Sequence, residues 1–140
     1  MNCEEFRRKF KAKYGYEWDS HWFYWNGYRR LSDFVMEFNE YFDCWWDPTT
    51  FDYWYVELLL KHCSKHFLKW WNPEKFDWDL RSPLLAKYCP QYFLEWWDPK
   101  KFSFSEQAVR SLFKNCRHYK HIWYKNAVNK TLEAQNEFNI

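Results

Sequence analysis

Cysteine and histidine occur close together at two places, and these residue types bind zinc or supply a nucleophile. The two groups are His62, Cys63 and His66, and Cys116, His118 and His121. Zinc needs four ligands at one point, and a nucleophilic thiol needs an oriented base beside it. Three of the five cysteines instead recur at one position of a sequence repeat, where a small buried apolar side chain fits. We therefore predict no metal site, no cofactor, no catalytic residue and no enzymatic activity.

A run of basic residues lies near the C-terminus. Between Gln107 and Thr131 the chain has six Lys or Arg and no acid. On one long helix, five basic or titratable side chains would share a face, and such a face could meet phosphates or an acidic protein. The predicted binding residues are Arg110, Lys114, Arg117, His121 and Lys125. The alternative is the solvated outer face of a capping helix.

Acidic residues are concentrated earlier in the chain. Seven acids and no Lys or Arg lie between Leu31 and Leu60, although the net charge of the whole chain is only +2. This separation disfavours nucleic acid along the entire chain and leaves head-to-tail self-association as an alternative.

The elements that must position these residues belong to an internal repeat with a period of 25 and then 26 residues. Its motif is Trp-Trp-Asp/Asn-Pro-x-x-Phe. The motif residues are Trp45, Trp46, Asp47, Pro48 and Phe51; Trp70, Trp71, Asn72, Pro73 and Phe76; and Trp96, Trp97, Asp98, Pro99 and Phe102. Cys63, Cys89 and Cys116 each stand seven residues before a Trp. Less similar copies begin at Trp18 and include Trp123. A fixed period of this length is typical of stacked repeats with atypical terminal copies.

Apolar spacings of three and four predict that each unit is a pair of short helices. We expect an all-α, solenoid-like αα-repeat array in one domain over residues 1–140. Its units would span about 18–45, 46–70, 71–96 and 97–123, followed by a capping helix to about 130. Helices are predicted near 55–62, 64–71, 83–89 and 91–97. Ser82-Pro83 is interpreted as a helix start, and Ser103-Phe104-Ser105-Glu106 as a capping box before one unbroken helix.

The tryptophan pairs have two interpretations. Adjacent helical residues point about 100° apart, so both rings cannot face one core. We expect one ring to pack between units, the Asp-Pro to form a turn and the Phe to fold back onto the pair. A row of half-exposed rings for stacking bases, sugars or protein side chains is the alternative.

Composition limits the class of protein. Hydrophobic residues make up 47% of the chain and aromatic residues 26%, so a disordered chain is excluded. No apolar run is long enough for a transmembrane helix, and the N-terminus has no signal-peptide pattern, so we expect a cytoplasmic protein that does not enter a membrane. An odd number of cysteines argues against a disulfide framework.

The Ser82-Pro83-Leu84-Leu85-Ala86 segment, two short helices and a turn resemble the plan of ankyrin-type repeats. The unit is shorter, however, and the Trp-Trp-Asp-Pro motif is not theirs, so no family is assigned.

These observations favour a non-catalytic binding module for a protein partner, with a phage, viral or bacterial antagonist of a host complex as one such use. The first alternative is a protein that sequesters a small ligand or nucleotide through exposed Trp and basic residues. The second is nucleic-acid binding through the basic C-terminal helix.

Overall fold

The computed structural model describes residues 2–23 and 25–138, and the side chains of that range except those of 131–138. Within this part of the chain the protein is all-helical and has no strand, as predicted. The α-helices are α1 (Cys3–Tyr14), α2 (Tyr28–Phe38), α3 (Phe42–Trp45), α4 (Val56–His62), α5 (Phe67–Trp70), α6 (Trp78–Tyr88), α7 (Phe93–Trp96), α8 (Glu106–Asn115) and α9 (Lys120–Phe138). Short 3₁₀ turns precede α3, α4, α5, α7 and α9.

The chain divides into two compact units, Met1–Trp71 and Asn72–Ile140. In the first unit, α2 packs against α4. In the second, α6 packs along α8, and α8 also contacts α9. Each unit therefore contains neighbouring copies of the sequence motif whose longer helices lie against one another.

The first tryptophan of each motif forms the same hydrogen bond each time. The indole Nε1 of Trp70, Trp96 and Trp123 donates to the backbone oxygen of the cysteine seven residues earlier, at 2.8–2.9 Å. Trp45 donates in the same way to the oxygen of Phe38 at 2.8 Å. All four rings are at most 1% exposed. The seven-residue spacing thus satisfies a buried indole N–H, which otherwise would be costly to bury.

The second tryptophan of each pair lies on its own motif. Trp46 stacks on Phe42 and Trp97 on Phe93, with ring centroids 5.2 and 5.1 Å apart. Both indoles also contact the Phe that ends the motif, at 5.3 Å. This confirms that the Phe folds back onto the pair, and that only the first ring of each pair is fully buried. In the last copy, Lys120 lies over the Tyr124 ring at 4.8 Å, so a cation–π contact replaces the stacked pair.

The Asp-Pro turn is confirmed by its hydrogen bonds. The side-chain oxygen of Asp47, Asn72 and Asp98 accepts from the amide two residues later, at 2.9–3.0 Å. Asp19 makes the same contact with the amide of His21, so the less similar copy at Trp18 forms the same turn. These are Asx turns, in which the side chain replaces a backbone acceptor.

Rings also stack between neighbouring copies. In the first unit His66 lies parallel to Phe42, with centroids 4.6 Å apart and an interplanar angle of 8°. In the second, Tyr119 lies on Phe93 with 4.6 Å and 9°. Phe42 and Phe93 are therefore each stacked between a tryptophan of their own motif and a ring of the next copy.

The interpretation of Ser82-Pro83 as a helix start is wrong. α6 begins at Trp78, and Asp77 is its N-cap, accepting from the Leu80 amide at 3.1 Å. Pro83 lies inside the helix. Ser82 is fully buried, and its hydroxyl donates to the Trp78 oxygen and accepts from the Ser103 amide at 3.0 Å. Ser82 therefore links two chain segments instead of capping a helix.

The unbroken C-terminal helix is also a wrong prediction. The N-cap of α8 is Ser105, which accepts from the Ala108 amide, two residues after the predicted cap at Ser103. α8 then ends at Asn115, and Cys116 starts a 3₁₀ turn as the equivalent cysteines do. The break occurs without a proline because the Cys116 oxygen accepts from both the Tyr119 amide and Trp123 Nε1, which ends the α-helical bonding there. α9 extends past the predicted end near 130, to Phe138.

One disulfide contradicts the expectation drawn from the odd number of cysteines. Cys3 of α1 is bonded to Cys44 of α3, while Cys63, Cys89 and Cys116 are buried thiols. An odd count excludes only complete pairing. The bond fastens α1 beside an aromatic cluster in which Phe6 and Phe10 are fully buried.

No helix in the described part of the chain combines the length and the apolar character needed to cross a bilayer.

Candidate functional site

The three free thiols, those of Cys63, Cys89 and Cys116, are buried in the fold. Burial raises the pKa of Cys63 and of Cys89 to about 12, and that of Cys116 to about 11. Because the thiolate is the nucleophile and the metal ligand, these side chains are unreactive near neutral pH. Among the described residues, no group of three or more His, Cys, Asp or Glu is placed to hold a metal ion.

The second unit has a groove of about 760 Å³ beside α8. We call it the α8 groove. Its lining residues are Phe104, Glu106, Val109, Arg110, Phe113, Lys114, Arg117 and Lys130. A volume of this size falls in the range of about 300–1,000 Å³ that ligand pockets occupy.

We call the three apolar lining residues, Phe104, Val109 and Phe113, the floor of the α8 groove, and its charged lining residues the rim. The ring of Phe113 is 38% exposed, and it contacts Trp123 edge-on at 4.9 Å, Tyr124 at 6.1 Å and the ammonium of Lys120 at 5.4 Å. Phe104 contacts Phe102 at 5.2 Å. Rings fixed in this way lose little conformational freedom when a ligand covers them.

The rim of the groove is cationic. Arg110, Lys114, Arg117 and Lys130 carry positive charge, and Glu106 is the one acid among the residues that line it. Glu106 forms an exposed i,i+4 ion pair with Arg110. Arg117 uses its Nε to donate to the Phe113 oxygen at 2.9 Å, which orients the guanidinium at the C-terminal end of α8. The groove therefore combines an apolar floor with a net positive rim.

No protein-family model, curated protein or solved structure matches this chain. The roles of the groove residues therefore rest on their own contacts.

The structure separates the five predicted binding residues. Arg110, Lys114 and Arg117 line the α8 groove. His121 and Lys125 are exposed on α9 and are not among the lining residues. The separation follows from the helix break at Cys116, which turns the chain before His121 and ends the single face that the sequence predicted.

Sequence reasoning missed the residues that give the groove its shape. Phe104, Val109 and Phe113 form its apolar floor, and Lys130 approaches from α9. In the sequence Phe104 belongs only to the Ser103-Phe104-Ser105-Glu106 segment, and Val109 and Phe113 carry no charge that would mark them for binding. A signal did exist, because the cysteine that ends a helix in the earlier copies recurs at Cys116.

Part of the acidic run of the first unit is paired with lysines. Of its seven acids, Glu37 pairs with Lys13, Glu57 with Lys61 at 2.9 Å and Asp43 with Lys69 at 2.6 Å. Hydrogen bonds from Thr49 and then Ser20 lower the pKa of Asp47, whose carboxylate also closes the turn of the first motif. Ion pairs therefore offset the negative charge of three of the seven acids.

The three motifs that dominate the sequence form joints. Their first tryptophans are buried, their Asp or Asn side chains close turns, and their final Phe rings are at most 6% exposed. The most exposed residues of the motif are those of its turn, which form no concave surface among the grooves described, so the α8 groove is the better candidate site.

Proposed function

We propose that the copies of the sequence repeat stack as a solenoid-like helical-repeat array. The proposal is supported by the tryptophan–carbonyl bond at four positions and by the ring stacks between neighbouring copies, Phe42 with His66 and Phe93 with Tyr119. Terminal copies of such arrays are atypical, as the copies at Trp18 and Trp123 are.

We further propose that the protein is a non-catalytic binding module whose partner is another protein. The observation that carries this proposal is the α8 groove, where a fixed apolar floor meets a cationic rim. Buried apolar anchors surrounded by charged or polar groups are the usual composition of protein interfaces. The protonated, buried thiols give no support to catalysis by cysteine.

Affinity capture from the native cell or host tests this function. The full chain is compared with Lys114→Glu/Arg117→Glu, which reverses two rim charges. The matched control, Lys87→Glu/Lys100→Glu, reverses two exposed charges of the same unit outside the lining. We expect a partner retained by the parent and the control and lost by the groove variant, identified by mass spectrometry. Equal capture by all three proteins would reject the groove as the binding surface.

A small anionic ligand with an aromatic part, such as a nucleotide, is the second candidate. The groove volume and its two Phe rings favour it. Saturable quenching of Trp fluorescence by a nucleotide, lost in Lys114→Glu/Arg117→Glu, would support this candidate over a protein partner.

A further inference from the structure

We infer that the occupant of the α8 groove is an acidic amphipathic segment of another protein, with one or two large apolar side chains between its carboxylates. This inference rests on the proposed binding function and specifies the chemistry of the partner. The observation behind it is the juxtaposition of Phe104, Val109 and Phe113 with Arg110, Lys114 and Arg117 along one side of α8.

The rim selects the charge of the occupant. Four cations and one acid line the groove, and the acid is already paired with Arg110. Among the described residues, no ion pair neutralises Lys114 or Arg117. Bringing a basic or neutral segment here would leave these cations without compensation, whereas carboxylates gain charge-assisted hydrogen bonds from them.

The floor selects the apolar part of the occupant. Val109 and Phe113 lie one helical turn apart on α8, and Phe104 precedes the helix. Because Phe113 is fixed against Trp123 and Phe104 against Phe102, an apolar side chain inserted between them displaces water without reordering the protein. A segment with only acidic side chains would leave the apolar floor exposed to water.

The short extent of the cationic rim disfavours a nucleic acid as the occupant. Three of the lining residues are apolar, and a sugar–phosphate backbone has no apolar side chain to cover them. His121 and Lys125, which would have extended the cationic track, are not among the lining residues. A phosphate backbone therefore finds a short cationic site, unlike the continuous track that such ligands need.

A second copy of this chain is also a poor occupant. Its acidic run supplies Glu37, Asp43 and Glu57 to ion pairs, and Asp47 and Asp52 to hydrogen bonds with backbone amides, within the first unit. If these carboxylates bound a second molecule, each new contact would replace an existing contact within the chain. The structure thus points to a different protein.

Selection from a random peptide library displayed on phage tests the inference without knowledge of the partner. The full chain, Lys114→Glu/Arg117→Glu and Lys87→Glu/Lys100→Glu are used as baits, and far-UV circular dichroism checks that each is folded. A fourth bait, Val109→Ser, makes the floor polar and keeps every cation.

We expect the parent and the charge control to enrich peptides that combine Asp or Glu with Leu, Phe or Trp. The affinity of a selected peptide, measured by fluorescence anisotropy, should fall at least about tenfold in the groove charge variant. In Val109→Ser the affinity should fall by a smaller factor. In that variant the fall should be larger for peptides with an apolar anchor than for peptides without one.

Enrichment of basic or uncharged peptides, acidic enrichment that persists in the groove charge variant, or the absence of any enriched peptide would overturn the inference. Groove-dependent capture of a native protein together with any of these results would leave the proposed function standing and reject only the partner chemistry. Binding of a single-stranded oligonucleotide in place of peptides, or dimers in light scattering that Lys114→Glu/Arg117→Glu abolishes, would identify the other occupants.

Discussion

His66 occupies a repeat position at which the later copies have tyrosines, Tyr92 and Tyr119. Its imidazole stacks on Phe42, and its Nε2 is buried without a hydrogen-bond partner among the described residues. Burial, with a smaller contribution from Lys69, lowers the pKa of His66. The fold therefore holds the neutral imidazole, and protonation favours the unfolded chain.

This gives a pH-dependent prediction for the first unit. A lowered pKa means that the stabilisation is complete above the unfolded value of about 6.5 and is lost as pH falls below it. His66→Tyr, which restores the ring of the other copies, should reduce the loss of stability between about pH 7.5 and pH 5. Urea unfolding at the two pH values measures it. His62, whose pKa burial also lowers, remains in both proteins, so some dependence should persist. An unchanged difference between the two pH values would contradict the account.

At the residue scale the sequence revealed much of this chemistry. The Asx turn follows from Asp or Asn before Pro, and the burial of one ring per pair follows from helical geometry. The reason for the Cys-to-Trp spacing could not be predicted, because the partner of the indole is a backbone oxygen that any residue type supplies. Phe38 demonstrates this by taking the cysteine position in the first motif.

At the element scale the two members of a tryptophan pair should differ in their contribution to stability. Trp96 is 1% exposed and bonded to the Cys89 oxygen, so Trp96→Ala leaves a cavity and removes a buried hydrogen bond. We expect a loss of about 3–5 kcal/mol in the free energy of unfolding. Trp97 is half-buried against Phe93 and Phe102, and Trp97→Ala should cost less than half as much.

Chemical unfolding followed by far-UV circular dichroism measures the Trp96→Ala and Trp97→Ala difference without relying on the altered fluorophores. Trp96→Phe is the control for ring volume: it keeps an aromatic ring and lacks the indole N–H. Equal losses in the free energy of unfolding for the two alanine variants would show that burial of the first tryptophan is not what stabilises the unit.

Helix boundaries show where prediction from sequence fails. α4 and α5 with its preceding turn lie close to the predicted spans, because Ser64 and Cys63 mark the junction as in the other copies. Ser82-Pro83 does not start a helix, because the Ser82 hydroxyl accepts a tertiary hydrogen bond from the Ser103 amide. Such tertiary contacts override a local capping signal. The break at Cys116 could not be predicted from a helix-breaking residue, because no proline or glycine lies between Glu106 and Phe138.

At the scale of the whole molecule, the helical class was predictable from apolar spacing, while the binding surface was not. Charge patterning suggested a basic helix and an acidic half, yet ion pairs engage three of the seven acids and the helix break divides the basic stripe. A cytoplasmic location remains a prediction, and the Cys3–Cys44 disulfide weighs against a strongly reducing compartment. Which charges remain for a partner depends on contacts distant in sequence.

The central claim is that the partner binds in the α8 groove, and site-specific photo-crosslinking tests it most directly. A benzophenone amino acid replaces Phe113 on the groove floor or, as a control, Leu94, which is 68% exposed in the same unit and outside the lining. After irradiation in native extract, we predict that the partner is covalently attached at position 113 and not at position 94. Attachment at position 94 with none at 113 would contradict the account.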